Sequence, residues 1–151
     1  MSRTLIYTLT QELDYDIEEV WSIFSKFDDV AAWSPMVVQC TTDGEGIGSV
    51  RYAVTDSGAR FNEKLEILDQ ESHIISYSFE EPVPFPVIGL YGMQHLEAIE
   101  PGKTHLTWTA EAESIDEEVK DTVGQQTQGL VKASLAGLVE LLGKRQEVVQ
   151  N

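Results

Sequence analysis

Arg51, Glu63, Tyr91 and His95 are the residues of this chain whose types could do acid–base chemistry together. A carboxylate such as Glu63 can take a proton, and an imidazole such as His95 can give or take one. A guanidinium such as Arg51 can steady a developing oxyanion. Other chemistries lack their signatures. The sequence holds no serine-elbow motif and no phosphate loop. His73, His95 and His105 are scattered and form no metal set. The single cysteine, Cys40, reads as a small buried residue rather than a nucleophile, and it excludes an internal disulfide. Neither a metal nor a cofactor is expected.

Whether these side chains meet depends on strand register. The stretch "RYAVTDSGARFNE", residues 51–63, reads as two strands around a turn. With Asp56-Ser57-Gly58 as a three-residue loop and Gly58 in the left-handed position, Thr55 opposes Ala59, Ala53 opposes Phe61, and Arg51 opposes Glu63. Residues 51, 53, 55, 59, 61, 63, 65 and 67 then share a face. That face carries Phe61, Leu65 and Ile67, whereas the other carries Arg60, Asn62, Lys64 and Glu66, so the first is the buried one. A two-residue loop is the alternative, and it would turn Val50, Tyr52 and Val54 inward.

The later hairpin supplies a second set. With "EPGK" as a four-residue loop, His95 opposes Trp108, Met93 opposes Ala110, and Tyr91 opposes Ala112. One face of the last strand, His105, Thr107, Thr109, Glu111 and Glu113, is wholly polar. Leu106, Trp108 and Ala110 therefore face inward, with Tyr91, Met93 and His95 beside them. Ile75, Tyr77 and Phe79 alternate on the strand at 73–80. The inward set mixes aromatic rings with Arg51, Glu63 and His95. Charges in a dry core cost several kcal/mol each before pairing. A water-containing cavity lowers that cost. Aromatic walls with a few convergent polar groups are the usual lining of a small-molecule pocket.

The elements that hold these positions follow from periodicity. Residues 3–13 alternate as a strand. Asp14 or Asp16 can cap a helix in "DIEEVWSIFSKF", and a short helical turn fits "DDVAAW" before Ser34-Pro35 ends it. Six strand runs separated by turn residues span 36–113. A long helix runs from Asp116 to about Lys144, with Val119, Val123, Gln126, Leu130, Ser134, Leu138 and Leu141 on one face. That face is apolar at its ends and small or polar in the middle. The expected architecture is α+β: one domain over residues 1–151, with two short helices after the first strand and a seven-stranded antiparallel sheet covered by the C-terminal helix.

Charge narrows the partners. The 151 residues include 10 basic and 26 acidic ones, a net charge of −16. Nucleic acid and anionic membrane surfaces both require clustered Lys and Arg, so neither is expected. The acidity reads as solubility, with a saline habitat or a cationic partner as further readings. "MSRTLIYTLTQELD" has no long apolar run, so no signal peptide or membrane insertion is expected and a cytoplasmic location is the default.

"VWSIFSKFDDVAAWSP", "GIGSVRYAV", "EKLEILDQESHIISYSF" and "LTWTAEAE", followed by a long final helix, resemble the START-like (SRPBCC) superfamily. The resemblance covers nearly the whole chain. It looks closest to the bacterial polyketide cyclase/dehydrase-like branch and more distantly like the plant abscisic acid receptors. It implies a helix-grip fold, a curved sheet wrapped around the last helix, with a pocket between them for a small hydrophobic or amphipathic molecule. By this resemblance "GSVR" places Arg51 in the pocket and "EKLEILD" places Glu63 there. "HIISYSF" puts Tyr77 and Phe79 on its wall, "LYGM" adds Tyr91 and Met93, and the last helix adds Leu130 and Ser134. "TDSGA" lacks the leucine-proline gate of the hormone receptors, and "EEPVPFPVIG" lacks their His-Arg latch. Hormone-gated signalling is therefore not implied. "PVPFP" is either a loop at the pocket mouth or strand-edge punctuation.

Three functions fit these readings. The first is binding of a lipid- or polyketide-like ligand at Arg51, Phe61, Glu63, Tyr77, Phe79, Tyr91, Met93, His95, Trp108, Leu130 and Ser134. The second is a polyketide cyclase/dehydratase-like enzyme, in which Glu63, His95 and Arg51 assist enolisation and loss of water. The third is a protein-interaction module of the same class. Arg51 and Glu63 also read as a purely structural pair, and His95 as a residue hydrogen-bonded beside Trp108. The oligomeric state is left open.

Overall fold

A computed structural model describes residues 2–150. Strand β1 (Thr4–Leu13) leads into helix α1 (Ile17–Phe24) and a short 3-10 turn (Phe27–Ala32). Six strands follow: β2 (Val37–Asp43), β3 (Val50–Thr55), β4 (Arg60–Asp69), β5 (Ile74–Glu80), β6 (Val87–Glu100) and β7 (Lys103–Ile115). Helix α2 (Glu117–Gln150) closes the chain. The seven strands form one antiparallel sheet in the order β1-β7-β6-β5-β4-β3-β2. This is the helix-grip architecture that the sequence led us to expect. Among the described residues no helix is long and apolar enough to cross a membrane.

Local chemistry explains the elements. Asp16 sits at the N-cap of α1 in extended backbone, and Glu18 and Glu19 occupy the first turn, where the helix dipole favours negative charge. The Asp16 side chain itself makes no capping hydrogen bond. Val20, Trp21, Ile23 and Phe24 bury one side of α1 in the main core. Gly58, at φ 88°, closes the β3–β4 hairpin, and the backbone N–H of Thr55 donates to the carbonyl of Ala59. Arg51 therefore pairs with Glu63 and Ala53 with Phe61.

Two registers differ from the sequence reading. In β4 an irregularity falls between Leu65 and Ile67, which pair with Tyr77 and Ser76. One extra residue flips the alternation beyond it. Ile67 is thus turned outward and is 43% exposed, and Leu68 takes the inner place opposite Ile75. In the β6–β7 hairpin Glu100 pairs with Lys103, so the loop is the two residues Pro101 and Gly102, with Gly102 at φ 79°. A further irregularity lies between Ala98 and Glu100. Gln94 then opposes Trp108, Gly92 opposes Ala110, and Leu96 opposes Leu106. A shift of one residue exchanges the faces of a strand. Leu90, Gly92, Gln94 and Leu96 point inward, and Tyr91, Met93 and His95 point out.

Helix α2 runs past Lys144 to Gln150. Its buried positions are Val123, Thr127, Val131, Ser134, Leu135, Leu138 and Leu142, a helical repeat. The stripe is rotated from the expected one: Gln126 is exposed and Leu141 only half-buried. The helix comes very close to the chain after the 3-10 turn. A Cβ at Gly137 would fall on the Trp33 carbonyl oxygen and lie 2.6 Å from Pro35 Cδ.

Candidate functional site

Between the concave face of the sheet and α2 lies a cavity of about 130 Å³. Phe61, Tyr77, Phe79 and Trp108 supply its aromatic walls from the sheet. Trp33 and Ser34 close one side, and Thr127, Leu130, Val131 and Ser134 close the helix side. Phe85, from the proline-rich segment, also lines it, with its ring 6.1 Å from that of Phe61. The small residues Ala53, Gly92 and Ala110 leave the space open. Gly92 is small for a reason: a Cβ there would sit 2.5 Å from the Tyr77 ring.

The charged pair lies in this wall. Arg51 is 6% exposed and Glu63 7%. Arg51 Nε donates to Glu63 Oε1 at 2.8 Å, and Arg51 Nη1 donates to the Phe27 carbonyl at 3.0 Å. The guanidinium carbon stands 4.2 Å over the Phe27 ring centre and 5.0 Å from that of Tyr77, so the cation is sandwiched by aromatic faces. Burial opposes the Arg51 charge. Glu63, with help from the Tyr77 oxygen, more than offsets it and holds the Arg51 pKa above its ordinary value. The pair makes one hydrogen bond rather than the two of a forked contact. Arg51 Nη2 and Glu63 Oε2 have no protein partner among the described residues, and neither is a sealed, orphaned atom.

Two further polar contacts border the site. Gln94 Nε2 donates to the Tyr77 hydroxyl at 2.7 Å, and the hydroxyls of Ser34 and Ser134 lie 2.9 Å apart, tying α2 to the chain after the 3-10 turn. Burial, reinforced by the Glu63 charge, pushes the Tyr77 pKa up to about 12. A phenol with a raised folded pKa keeps its contribution to stability below pH 10 and loses it as pH rises through 12. Urea unfolding at stepped pH is expected to show about 2–3 kcal/mol lost across that window. A Tyr77→Phe variant should lack that component; equal losses in both proteins would mean that Tyr77 ionises freely.

Eight of the residues singled out from the sequence meet here: Arg51, Phe61, Glu63, Tyr77, Phe79, Trp108, Leu130 and Ser134 all line the cavity. Three do not bring their side chains to it. Tyr91 touches the wall, but its ring is turned to the outer face of the sheet, where its hydroxyl donates to Ser76 at 2.5 Å and Arg3 stacks at 3.7 Å. Met93 and His95 lie on that outer face opposite Thr109 and Thr107. The one-residue register change moves all three. His73 is remote from the cavity and contacts Glu18 at 2.7 Å. Sequence reasoning missed Trp33, Ser34, Phe85, Gly92 and Thr127. A polar Thr127 seven residues before Ser134, two turns along one helix face, was the available signal.

A curved seven-stranded sheet gripping one long helix around an interior cavity defines a START-like (SRPBCC) protein, a ligand-binding class of fold. The chain belongs to the polyketide cyclase / dehydrase and lipid transport family, whose profile matches residues 4–143. The abscisic acid receptor PYL6 of Arabidopsis thaliana is 38% identical over 76 residues, which are 46% of this chain and 35% of the receptor. The receptor PYL10 of the same plant is 34% identical over 73 residues, 45% of this chain and 40% of the receptor. The matches thus span well under half the length of these curated relatives. Norcoclaurine synthase from Thalictrum flavum, solved with dopamine and hydroxybenzaldehyde, superposes with a TM-score of 0.75 at 15% identity, covering 95% of this chain and 88% of the other. The major latex-like protein 151 of Panax ginseng gives 0.74 at 15% identity, covering 88% and 93%. At such identities the likeness is one of fold.

Proposed function

We propose that this protein binds a small hydrophobic or amphipathic molecule in the cavity between the sheet and α2. The observation that carries this reading is a space of about 130 Å³ walled by aromatic rings and broken by one buried charged pair. An apolar cavity of about 150 Å³ takes up benzene, so the space suits a molecule built around one ring. The ring-sized molecules bound by norcoclaurine synthase, on the same fold, support that size class. A longer lipid- or polyketide-like chain would have to extend past Phe85. No side chain among the described residues fills the cavity, which counts against a pure interaction module.

The cyclase/dehydratase alternative has fewer groups to work with. Its acid–base candidate His95 is on the far face of the sheet, opposite Thr107. Glu63 is engaged by Arg51, and the Tyr77 phenol holds its proton up to about pH 12. Binding needs none of these to titrate.

Toluene, titrated by NMR, is expected to move the resonances of Phe61 and Trp108 and to leave the outer-face Met93 unmoved. Ala110→Leu should weaken that binding at least tenfold while the fold keeps its stability, because the new side chain occupies the space the ligand would take. Saturable binding that perturbs Met93 instead, or that survives Ala110→Leu unchanged, would place the site elsewhere.

A further inference from the structure

We infer that the ligand is electrically neutral and carries a hydrogen-bond donor and acceptor side by side, as a carboxamide or a hydroxy-carbonyl group does, at the end of a single ring. The inference rests on the cavity-binding reading and concerns what the charged pair recognises.

The pair itself sets the rule. Arg51 and Glu63 are each more than nine-tenths buried, and together they are neutral. Their contact is half-made. Nε donates to Oε1, but Nη2, the other donor on that edge of the guanidinium, has no protein acceptor among the described residues. Glu63 Oε2 likewise has no protein donor. Both residues line the cavity, and neither atom is fully buried. The cavity wall therefore presents one charged donor beside one charged acceptor. A planar amide matches both: its carbonyl accepts from Nη2 and its N–H donates to Oε2. Each bond is to an ionised group, the stronger kind.

The same pair rejects ions. A carboxylate accepting from Nη2 would bring its charge against Glu63 in a poorly hydrated site, and an ammonium at Oε2 would meet Arg51. Like charges that close are unfavourable, and each ion would also leave its hydration behind. The net charge of −16 adds a long-range penalty for anions. A lone arginine would select a carboxylate; an arginine already paired with glutamate does not. The two further polar pairs at the cavity, Gln94 with Tyr77 and Ser34 with Ser134, are neutral and each already hydrogen-bonded. Among the described residues no other charged one lines the space.

The test is a probe series on one ring: toluene, benzamide, benzoate and benzylamine, titrated at neutral pH by calorimetry or NMR. Benzamide is expected to bind at least tenfold more tightly than benzoate and benzylamine. The double replacement Arg51→Met with Glu63→Leu should lower the affinity for benzamide relative to toluene at least tenfold. Glu63→Gln, which leaves the Arg51 charge uncompensated, should shift the preference toward benzoate at least tenfold. Wild-type protein that prefers benzoate, or that keeps its ratio of benzamide to toluene affinity in the double variant, overturns the inference while toluene binding leaves the cavity reading standing. Failure of all four probes, toluene included, overturns both.

Discussion

Glu63→Ala is expected to cost the fold about 3–5 kcal/mol in chemical denaturation. The loss exceeds what an exposed ion pair supplies, about 0–1 kcal/mol, because the partner is trapped. Arg51 is 6% exposed and packed against the rings of Phe27 and Tyr77. With Glu63 gone, the Phe27 carbonyl is the one acceptor left to its guanidinium among the described residues. An uncompensated buried charge is the expensive outcome, whereas removing both charges is not. The double replacement Arg51→Met with Glu63→Leu should therefore lie within about 1–2 kcal/mol of the wild type, closer than the single variant. A double variant as unstable as Glu63→Ala would mean that packing rather than charge is lost. A single variant that costs less than about 0.5 kcal/mol would mean that water reaches the pair freely.

Two glycines of α2 should respond with opposite signs. Alanine is the better helix former by about 1 kcal/mol, so Gly129→Ala, at an exposed position with nothing within 4 Å of the new Cβ, should stabilise the protein by up to that amount. Gly137→Ala should destabilise it by about 2 kcal/mol despite the same propensity gain. There the new methyl group meets the Trp33 carbonyl oxygen, and backbone cannot swing aside as a side chain can. The helix or the segment at Trp33 must move as a unit, and the hydrogen bond between Ser34 and Ser134 lies in the path of that movement. Thermal unfolding of the two variants is the check. Stabilisation by both would show that α2 stands off from this segment.

Much of this arrangement was legible in the sequence, and the reason is local. The β3–β4 hairpin carries its own register in Gly58, so the facing of Arg51 and Glu63 followed from one turn. The cavity residues on β4 follow from that register by alternation, and those on β5 from that strand's own apolar alternation. The errors come from places where register depends on something not local. The two-residue loop Pro101-Gly102 pairs Glu100 with Lys103, which leaves the expected register intact; the one extra residue at the irregularity between Ala98 and Glu100 is what carries Tyr91, Met93 and His95 from the inner face to the outer. The polar outer face of β7 fixed the facing of β7 itself but could not report which residue of β6 stood opposite. Simple alternation turns Ile67 inward, but beyond the irregularity at Glu66 it faces out. The contact of Gly137 with Trp33 joins positions about a hundred residues apart. In the sequence it appears only as an unexplained small residue on a helix.

The contact of Tyr77 with Gly92 bears on how such a protein could change its ligand. Any side chain at Gly92 would collide with a ring that is held by Gln94 and packed on Phe79. That part of the cavity floor is closed to variation by sterics, whatever ligand is selected for. Ala53 and Ala110 already carry a Cβ and line the same space, and Thr127 and Ser134 face it from the helix. New specificities are reached through these side walls, by adding atoms to small residues, while the depth of the cavity stays constant. The fold thus separates what can evolve in this site from what cannot.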